Sequence, residues 1–453
     1  MKNKILIFLL TFMFLLFLSS YHIYKNIHQF DYSSVIKNIN YISSDAFKGR
    51  LPGTIENDQI AHYIKNDFKN TGLKPFNKSY FQYFNTKCPV KVQGYPYLKV
   101  WDKNNNVIKK YIYGKDFKED MLNFRNNRVR FSKENSKLHE DEYLVVNSNG
   151  SNFLFYSLNK NELDFRSSFI ENAPFDMYIM LSEKTFNDIK KYLDNNYSIS
   201  CYIPYIAKEK KLYNVIGYIP GINKNASPII VSAHFDHIGM DLNNTIYNGA
   251  LDNASGISFI MEMSKYIHSL GKPYRSILFI GFNAEEFGCI GSKYFVDKYK
   301  AILKDSIAYN FDMIGTNNSI PLYIVGGKND TDKTPLIHSV SYLCSKEKIP
   351  FNYVFSDSSD HSSFRNENIK AITFCDNDLS RIHTPNDKAY FISQKPIERC
   401  YKVASHEIVK SAFLFSALYL HCKIIMIISL ISITILVIML VYFKKQYKVI
   451  SSK

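Results

Sequence analysis

The sequence predicts an α/β fold: a three-layer α/β/α body with a mostly parallel central sheet, an inserted β-rich subdomain, and membrane segments at both ends. Three observations predict it. From Asn214 onward, short apolar runs alternate with helical stretches, the rhythm of a parallel sheet covered on both faces. Between about Phe84 and Lys208 the texture changes to short β-like runs separated by Asn- and Lys-rich turns. At each end lies an apolar run flanked by lysines.

At the N-terminus, Ile5 to Leu18 is interrupted only by Thr11 and preceded by Lys2 and Lys4, the shape of a secretory signal or an uncleaved signal anchor over residues 1–27. Near the other end, Ile424 to Phe443 is a 20-residue run without charge. At ~1.5 Å rise per residue such a run spans the ~30 Å hydrocarbon core. Lys444, Lys445 and Lys448 follow it and predict a cytoplasmic tail over 444–453, which leaves the intervening chain outside. Residues 28–84 read as helical, with apolar positions at Ile36, Ile39 and Ile42, then at Ile60, Ile64 and Phe68. Gly49 to Gly53 divides the two helices and Gly72 ends the second. After the insert (85–208), strands are expected at Val215–Ile219, Ile229–Ala233, Ser276–Phe282, Ile307–Phe311, Leu322–Val325, Tyr353–Phe355 and Ala371–Phe374. Helices are expected at Ser255–Leu270, Ser292–Lys300, Lys333–Cys344 and Lys395–Leu420, closing a body over 209–420.

Composition narrows the function class. Lys and Arg number 56 against 41 Asp and Glu, a net charge of +15. Eight of those lysines lie in tails that carry no acid, so the excess in the body is less than half that figure. Part of the remainder falls between Asp102 and Lys137, mixed with Asp116, Glu119, Asp120 and Glu134, which reads as a solvated face. No nucleic-acid-binding motif accompanies it, and no nucleic-acid partner is expected. The seven cysteines form no C-x-x-C pair and define no disulfide framework.

The chemistry sits where polar residues interrupt the strands. Ile229–Ala233 runs into His234-Phe235-Asp236-His237, Ser276–Phe282 into Asn283-Ala284-Glu285-Glu286, and Ile307–Phe311 ends at Asp312. His383 follows the last strand after a loop, and Asp252 lies in the Gly249–Gly256 loop. Open α/β sheets bind ligands at the carboxyl ends of their strands. Any one of these residues alone would pass as a core histidine, a helix N-cap or a solvated turn. Several carboxylates converging on one rim repel each other unless a cation gathers them. The N/O donor set, without thiolate, suits zinc or another first-row divalent ion.

These residues resemble the M28 metallopeptidases, di-zinc aminopeptidases with a zinc-dependent exopeptidase fold. The matching segments are His234-Phe235-Asp236-His237-Ile238-Gly239, Gly249–Gly256, Asn283-Ala284-Glu285-Glu286-Phe287-Gly288, Asp312-Met313-Ile314-Gly315, Ser359-Asp360-His361-Ser362-Ser363-Phe364 and His383-Thr384-Pro385. Ser43-Ser44-Asp45, Gly49-Arg50 and Gly53-Thr54 resemble the family's opening helices. The resemblance implies two Zn²⁺ ions, one on His234, Asp252 and Asp312, the other on Asp252, Glu286 and His383, with Asp252 shared. It implies Asp236 as the carboxylate orienting His234 and Glu285 as the general base that activates the attacking water. The insert is similar to a protease-associated domain in its placement before Asn214-Val215-Ile216-Gly217 and in the strand–helix–strand over Met177–Ile203. The function expected is a membrane-anchored, extracytoplasmic zinc aminopeptidase acting on peptides or proteins. The alternatives are a glutaminyl-cyclase-like acyltransferase with one zinc and a non-catalytic surface receptor on the same scaffold.

Overall fold

The computed structural model describes residues 2–140, 142–157 and 163–451. Nine strands make the central sheet. In chain order they are β1 (Lys74–Pro75), β2 (Phe81–Lys91), β3 (Tyr205–Ile219), β4 (Ile229–His234), β5 (Ile277–Phe282), β6 (Ile307–Phe311), β7 (Leu322–Gly326), β8 (Phe351–Phe355) and β9 (Lys370–Cys375). Their spatial order is β1-β3-β5-β4-β6-β9-β7-β8, with β2 paired to β3. The middle four, β5-β4-β6-β9, run parallel. β3 and β7 are antiparallel to their inner neighbours, so the sheet is mixed with a parallel centre.

Period-two alternation sorts the central side chains onto two faces. Ile229, Val231, Ala233, Phe279, Tyr309 and Phe374 pack with Ile39, Ile60, Ile64, Ile257, Ile260 and Ile408 from the helices Tyr32–Ile42, Ile55–Thr71, Gly256–Ser269 and Gln394–Ala412. Ile230, Leu278, Ile280 and Phe282 pack on the opposite face with Phe295 and Val296 of the helix Ile290–Leu303 and with Phe364. Every residue of β4 and β5 is buried, as the unbroken apolar runs require. The first two body helices start on side-chain caps, Asp31 accepting from the Ser33 amide and Thr54 from the Asn57 amide. The second stops at Gly72 in the left-handed region, φ 96°.

The expected helix over Lys395–Leu420 is broken. Its main part ends at Ala412, Phe413 turns to extended backbone with its ring in the core, and Phe415 adopts φ 55° before a short helix at Ser416–Leu420. Burying Phe413 beside the loop whose Tyr274 and Arg275 amides donate to the Ala412 carbonyl outweighs helical continuity. The apolar helices Lys2–Asn26 and Cys422–Ser451 contain stretches, Lys4–Asn26 and Cys422–Lys444, long and apolar enough to cross a membrane, and they pack against each other.

Between β2 and β3 the chain forms two small sheets. One has five strands in the order Phe117–Phe124, Met177–Leu181, Ser151–Ser157, Tyr143–Ser148 and Ser136–His139. The other has four, Val107–Lys110, Tyr97–Trp101, Ser198–Tyr202 and Arg128–Phe131. They share a core with Leu51, Phe84, Leu212, Ala284 and Phe287 of the larger body. The solvated face expected between Asp102 and Lys137 is corrected here: Lys118, Glu119 and Asp120 lie buried on the strand Phe117–Phe124. Each charge finds a partner, which is why burial is tolerated. Lys118 Nζ lies 3.1 Å from Asp241 Oδ2 and Arg166 Nη2 lies 3.7 Å from Glu119 Oε1. Asp120 accepts from the Ser167 amide and hydroxyl at 2.8 and 2.9 Å. All seven cysteines are free thiols.

Candidate metal centre

Four of the expected residues arrive from the ends of adjacent strands. His234 ends β4, Asp312 follows β6 directly, and Glu285 and Glu286 follow the end of β5 at Phe282 by three and four residues. Asp252 hangs from the irregular turn before the helix Gly256–Ser269, held there from both sides. The Asp387 carboxylate accepts the Leu251 and Asp252 amides at 2.8 and 3.0 Å, and the Asn253 side chain donates to the Phe311 carbonyl at 2.9 Å.

His234 Nε2 lies 3.3 Å from Asp252 Oδ1 and 3.4 Å from Asp312 Oδ1. His383 Nε2 lies 3.4 Å from the other Asp252 oxygen, Oδ2, and 3.1 Å from Glu286 Oε2. The two Asp252 oxygens thus face two different imidazoles. The structure brings all five expected ligands together. It also adds a sixth group, His237, whose Nδ1 is 2.8 Å from Glu286 Oε1 and 3.8 Å from Asp252 Oδ2. Sequence reading passed over His237, although it stands in the same four-residue run as His234; its readable signal was a second imidazole three residues along.

Asp236 does something other than expected. Its Oδ1 is 3.7 Å from His234 Nδ1, beyond direct hydrogen bonding. Its carboxylate accepts the backbone amides of Glu285 and Glu286 at 3.2 and 3.1 Å, and so sets where those side chains start. Glu285 Oε2 stands 3.9 Å from His234 Nε2, and Cys289 Sγ donates to its Oε1 at 3.4 Å. Arg50, fully buried, donates to the carbonyls of Phe235, Asn248, Gly249 and Asp252 at 2.7, 2.5, 2.7 and 3.2 Å.

The donor set fits divalent cations. His234, Asp252 and Asp312 bring ligand atoms within 4.8 Å of one another, as do His237, Asp252 and Glu286. Both His234 nitrogens, His237 Nε2 and Asp312 Oδ1 are buried without a hydrogen-bond partner, which unligated polar atoms rarely are. Burial raises the Asp252 and Glu286 carboxyls, but the surrounding imidazoles outweigh it and hold both below the usual carboxylate range. For Glu285 burial prevails, and its carboxyl is pushed well above that range. A cleft of about 600 Å³ opens beside these groups, walled by Ile170, Met313, Val325, Val354, Leu379 and Ile382.

Two outcomes follow. Replacing Arg50 by Lys leaves one ammonium for four carbonyls, and each orphaned buried acceptor costs ~1–3 kcal/mol. Arg50→Lys should lower the unfolding temperature and the bound-metal content together, measured by thermal unfolding and elemental analysis of the purified chain; an unchanged unfolding temperature would refute the role. The second concerns protons. Burial alone would lower the His234 and His383 pKa values, but the neighbouring carboxylates raise both well above 6.5. Their stabilising effect is therefore complete below about 6.5 and lost as pH rises through the raised values. A cation needs the rings neutral, so zinc uptake by the chelator-stripped chain at pH 7 should release protons and tighten with rising pH. Titration calorimetry in buffers of different ionisation enthalpy measures this; buffer-independent heats would show the rings already neutral.

Residues 214–408 match peptidase family M28. Aminopeptidase YwaD of Bacillus subtilis (strain 168) is 30% identical over 200 residues, 41% of this chain and 42% of that protein. Leupeptin-inactivating enzyme 1 of Streptomyces exfoliatus is 30% identical over 193 residues, 42% of each chain. The match therefore spans less than half the length of these curated relatives. Among solved structures, the aminopeptidase from Aneurinibacillus sp. strain AM-1 superposes with a TM-score of 0.61 at 18% identity, covering 87% of this chain and 96% of that one. Residues 214–408, which carry the strand-end residues just described, thus match peptidase family M28, and the chain shares the fold of that solved aminopeptidase.

Proposed function

We propose that the chain is a zinc aminopeptidase, anchored in a membrane with its catalytic body outside the cytoplasm, that removes N-terminal residues from peptides. The observation that carries this reading is the placement of Asp252 between two histidines, one at each carboxylate oxygen, with the Glu285 carboxylate alongside. His234, Asp252 and Asp312 would hold one ion; Asp252, Glu286 and His383 would hold the other. Bound there, zinc acts as a Lewis acid, lowering the pKa of the attacking water and polarising the scissile carbonyl.

The remaining work belongs to side chains of this chain. Glu285, fixed at its backbone by Asp236, takes the proton from the attacking water and returns it to the departing amine. Asp312 is held in orientation by the Ser359 hydroxyl, which donates to Oδ2 at 2.7 Å and leaves Oδ1 facing His234. Met313, Val325, Val354, Leu379 and Ile382 offer an apolar wall for the side chain of the residue removed, and Asp357 at the same cleft disfavours an acidic one.

The anchoring rests on the two apolar helices and the lysines that flank them. His28 Nε2 sits 2.6 Å from Glu262 Oε1 and Phe30 enters the core, so only Ile27 separates the first helix from residues fixed to the body. At the other end His421 alone separates the short helix Ser416–Leu420 from the spanning one. Substrates would have to reach the membrane surface.

Glu285→Gln keeps the shape and removes the base, so turnover of leucyl- or methionyl-arylamides should fall ~10²–10⁴-fold with metal content unchanged. Near-full activity in that variant would sink the assignment. For topology, protease added to intact cells should digest the body, and residues 28–420 expressed alone should be soluble. A body protected from protease on accessible cells would refute the outside placement.

A further inference from the structure

The segment Arg166–Phe169 of the insert reaches the metal centre and touches two of the three residues proposed for the second ion, Glu286 and His383. The Arg166 amide donates to the His383 carbonyl at 3.1 Å, and the Phe169 amide to the Glu286 carbonyl at 3.0 Å. The Ser168 hydroxyl donates to Glu286 Oε2 at 2.7 Å, the oxygen that faces His383 Nε2. On the other oxygen, Oε1, stands His237. The Glu286 carboxylate is thus held at both ends, by one residue from the strand-end run of the catalytic half and by one from the insert. Phe165, just before this segment, stacks on the His383 ring at 26°, centroids 5.9 Å apart.

The segment is itself fixed from behind. Ser167 bonds Asp120 through both amide and hydroxyl, and Tyr156 Oη donates to the same carboxylate at 2.7 Å. Arg166, fully buried, donates to the Ile238 carbonyl at 2.9 Å, inside the loop that follows His234. A line of polar contacts therefore runs from the buried strand Phe117–Phe124 through Ser167 and Ser168 to Glu286.

We propose that Ser168 is a positioning residue for Glu286, and that through it the insert is part of the metal centre; this rests on Glu286 being a metal ligand. A carboxylate that must present one oxygen to a cation gains from having its plane set by hydrogen bonds to the same group. Ser168 is only half-buried and lines the cleft, so removing its hydroxyl empties no core volume. The loss falls on the orientation of Glu286 and leaves packing intact. Outer hydrogen-bond partners of ligands typically contribute 10–100-fold to metal affinity.

The test uses the full chain purified in detergent, stripped with a chelator and titrated with Zn²⁺ against a competing fluorescent chelator. Ser168→Ala should weaken one of two zinc affinities ~10–100-fold and leave the other, while the metal-free unfolding temperature stays at the wild-type value. Ser168→Thr, which keeps the hydroxyl, should restore the affinity. Glu286→Ala is the control and should lose one ion. If Glu286→Ala loses an ion while Ser168→Ala binds both as wild type, Ser168 has no positioning role. If Glu286→Ala keeps both ions, the ligand assignment itself fails. A fall in the metal-free unfolding temperature of Ser168→Ala, with Thr failing to restore zinc affinity, would reduce Ser168 to a packing residue and overturn the proposal.

Discussion

The Arg50 guanidinium donates to the Phe235 carbonyl, between His234 and Asp236, and to the carbonyls of Asn248, Gly249 and Asp252 on the neighbouring loop. These two stretches must approach closely for His234 and Asp252 to meet, and close approach turns several carbonyl dipoles toward one buried point. A cation with donors spread in a plane satisfies them together, which an ammonium cannot. Burial drags the guanidinium pKa down to about 10, against the opposing pull of Asp252, Asp387, Asp236 and Glu286, so it stays charged at neutral pH. The preceding turn is shaped for the same purpose. A Cβ on Gly49 would lie 2.3 Å from the Tyr247 carbonyl oxygen and 2.4 Å from that of Gly239, and its φ of 68° suits glycine.

Around this fixed charge the carboxylates divide into two kinds. Asp236 and Asp387 spend their oxygens on backbone amides, two each, and so shape the loops. Asp252, Glu286 and Asp312 keep oxygens turned toward histidines. The first kind positions the second. Asp236 anchors the amides of Glu285 and Glu286 while those side chains diverge, one toward His234 and one toward His237 and His383. Adjacent residues thereby serve different ends of one site.

Much of this arrangement was legible because the chemistry interrupts an apolar rhythm. A buried strand has no use for His, Asp or Glu at its carboxyl end, so His234, Asp312 and the Glu285–Glu286 pair stand out against β4, β6 and β5. What was not legible depends on partners far away in sequence. Lys118, Glu119 and Asp120 look like a solvated run, and partners far away in sequence, Asp241, Arg166 and Ser167, make their burial tolerable. Ser168 carries no local signal at all, since its meaning is the carboxylate 118 positions further on. The break in the helix after Ala412 was equally hidden, because Phe413 satisfies a helical pattern and a core contact alike.

The insert is joined to the catalytic half in a way that fixes its orientation. β2 and β3 pair in register over 11 residues, Phe81 to Lys91 against Val215 to Tyr205, and form a ribbon leading out of the central sheet. A two-stranded ribbon alone would leave the insert free to twist. The contacts beyond it are directional: Lys118 meets Asp241 and the Tyr247 hydroxyl, and Arg166 meets the Ile238 carbonyl. Buried ion pairs contribute little net stability once desolvation is counted. A displaced insert, however, would strand Lys118 and Asp241 without their ionic partners, at several kcal/mol for each uncompensated charge. Misdocking is therefore far more costly than correct docking is favourable. The cost falls on the geometry that carries Ser168 to Glu286.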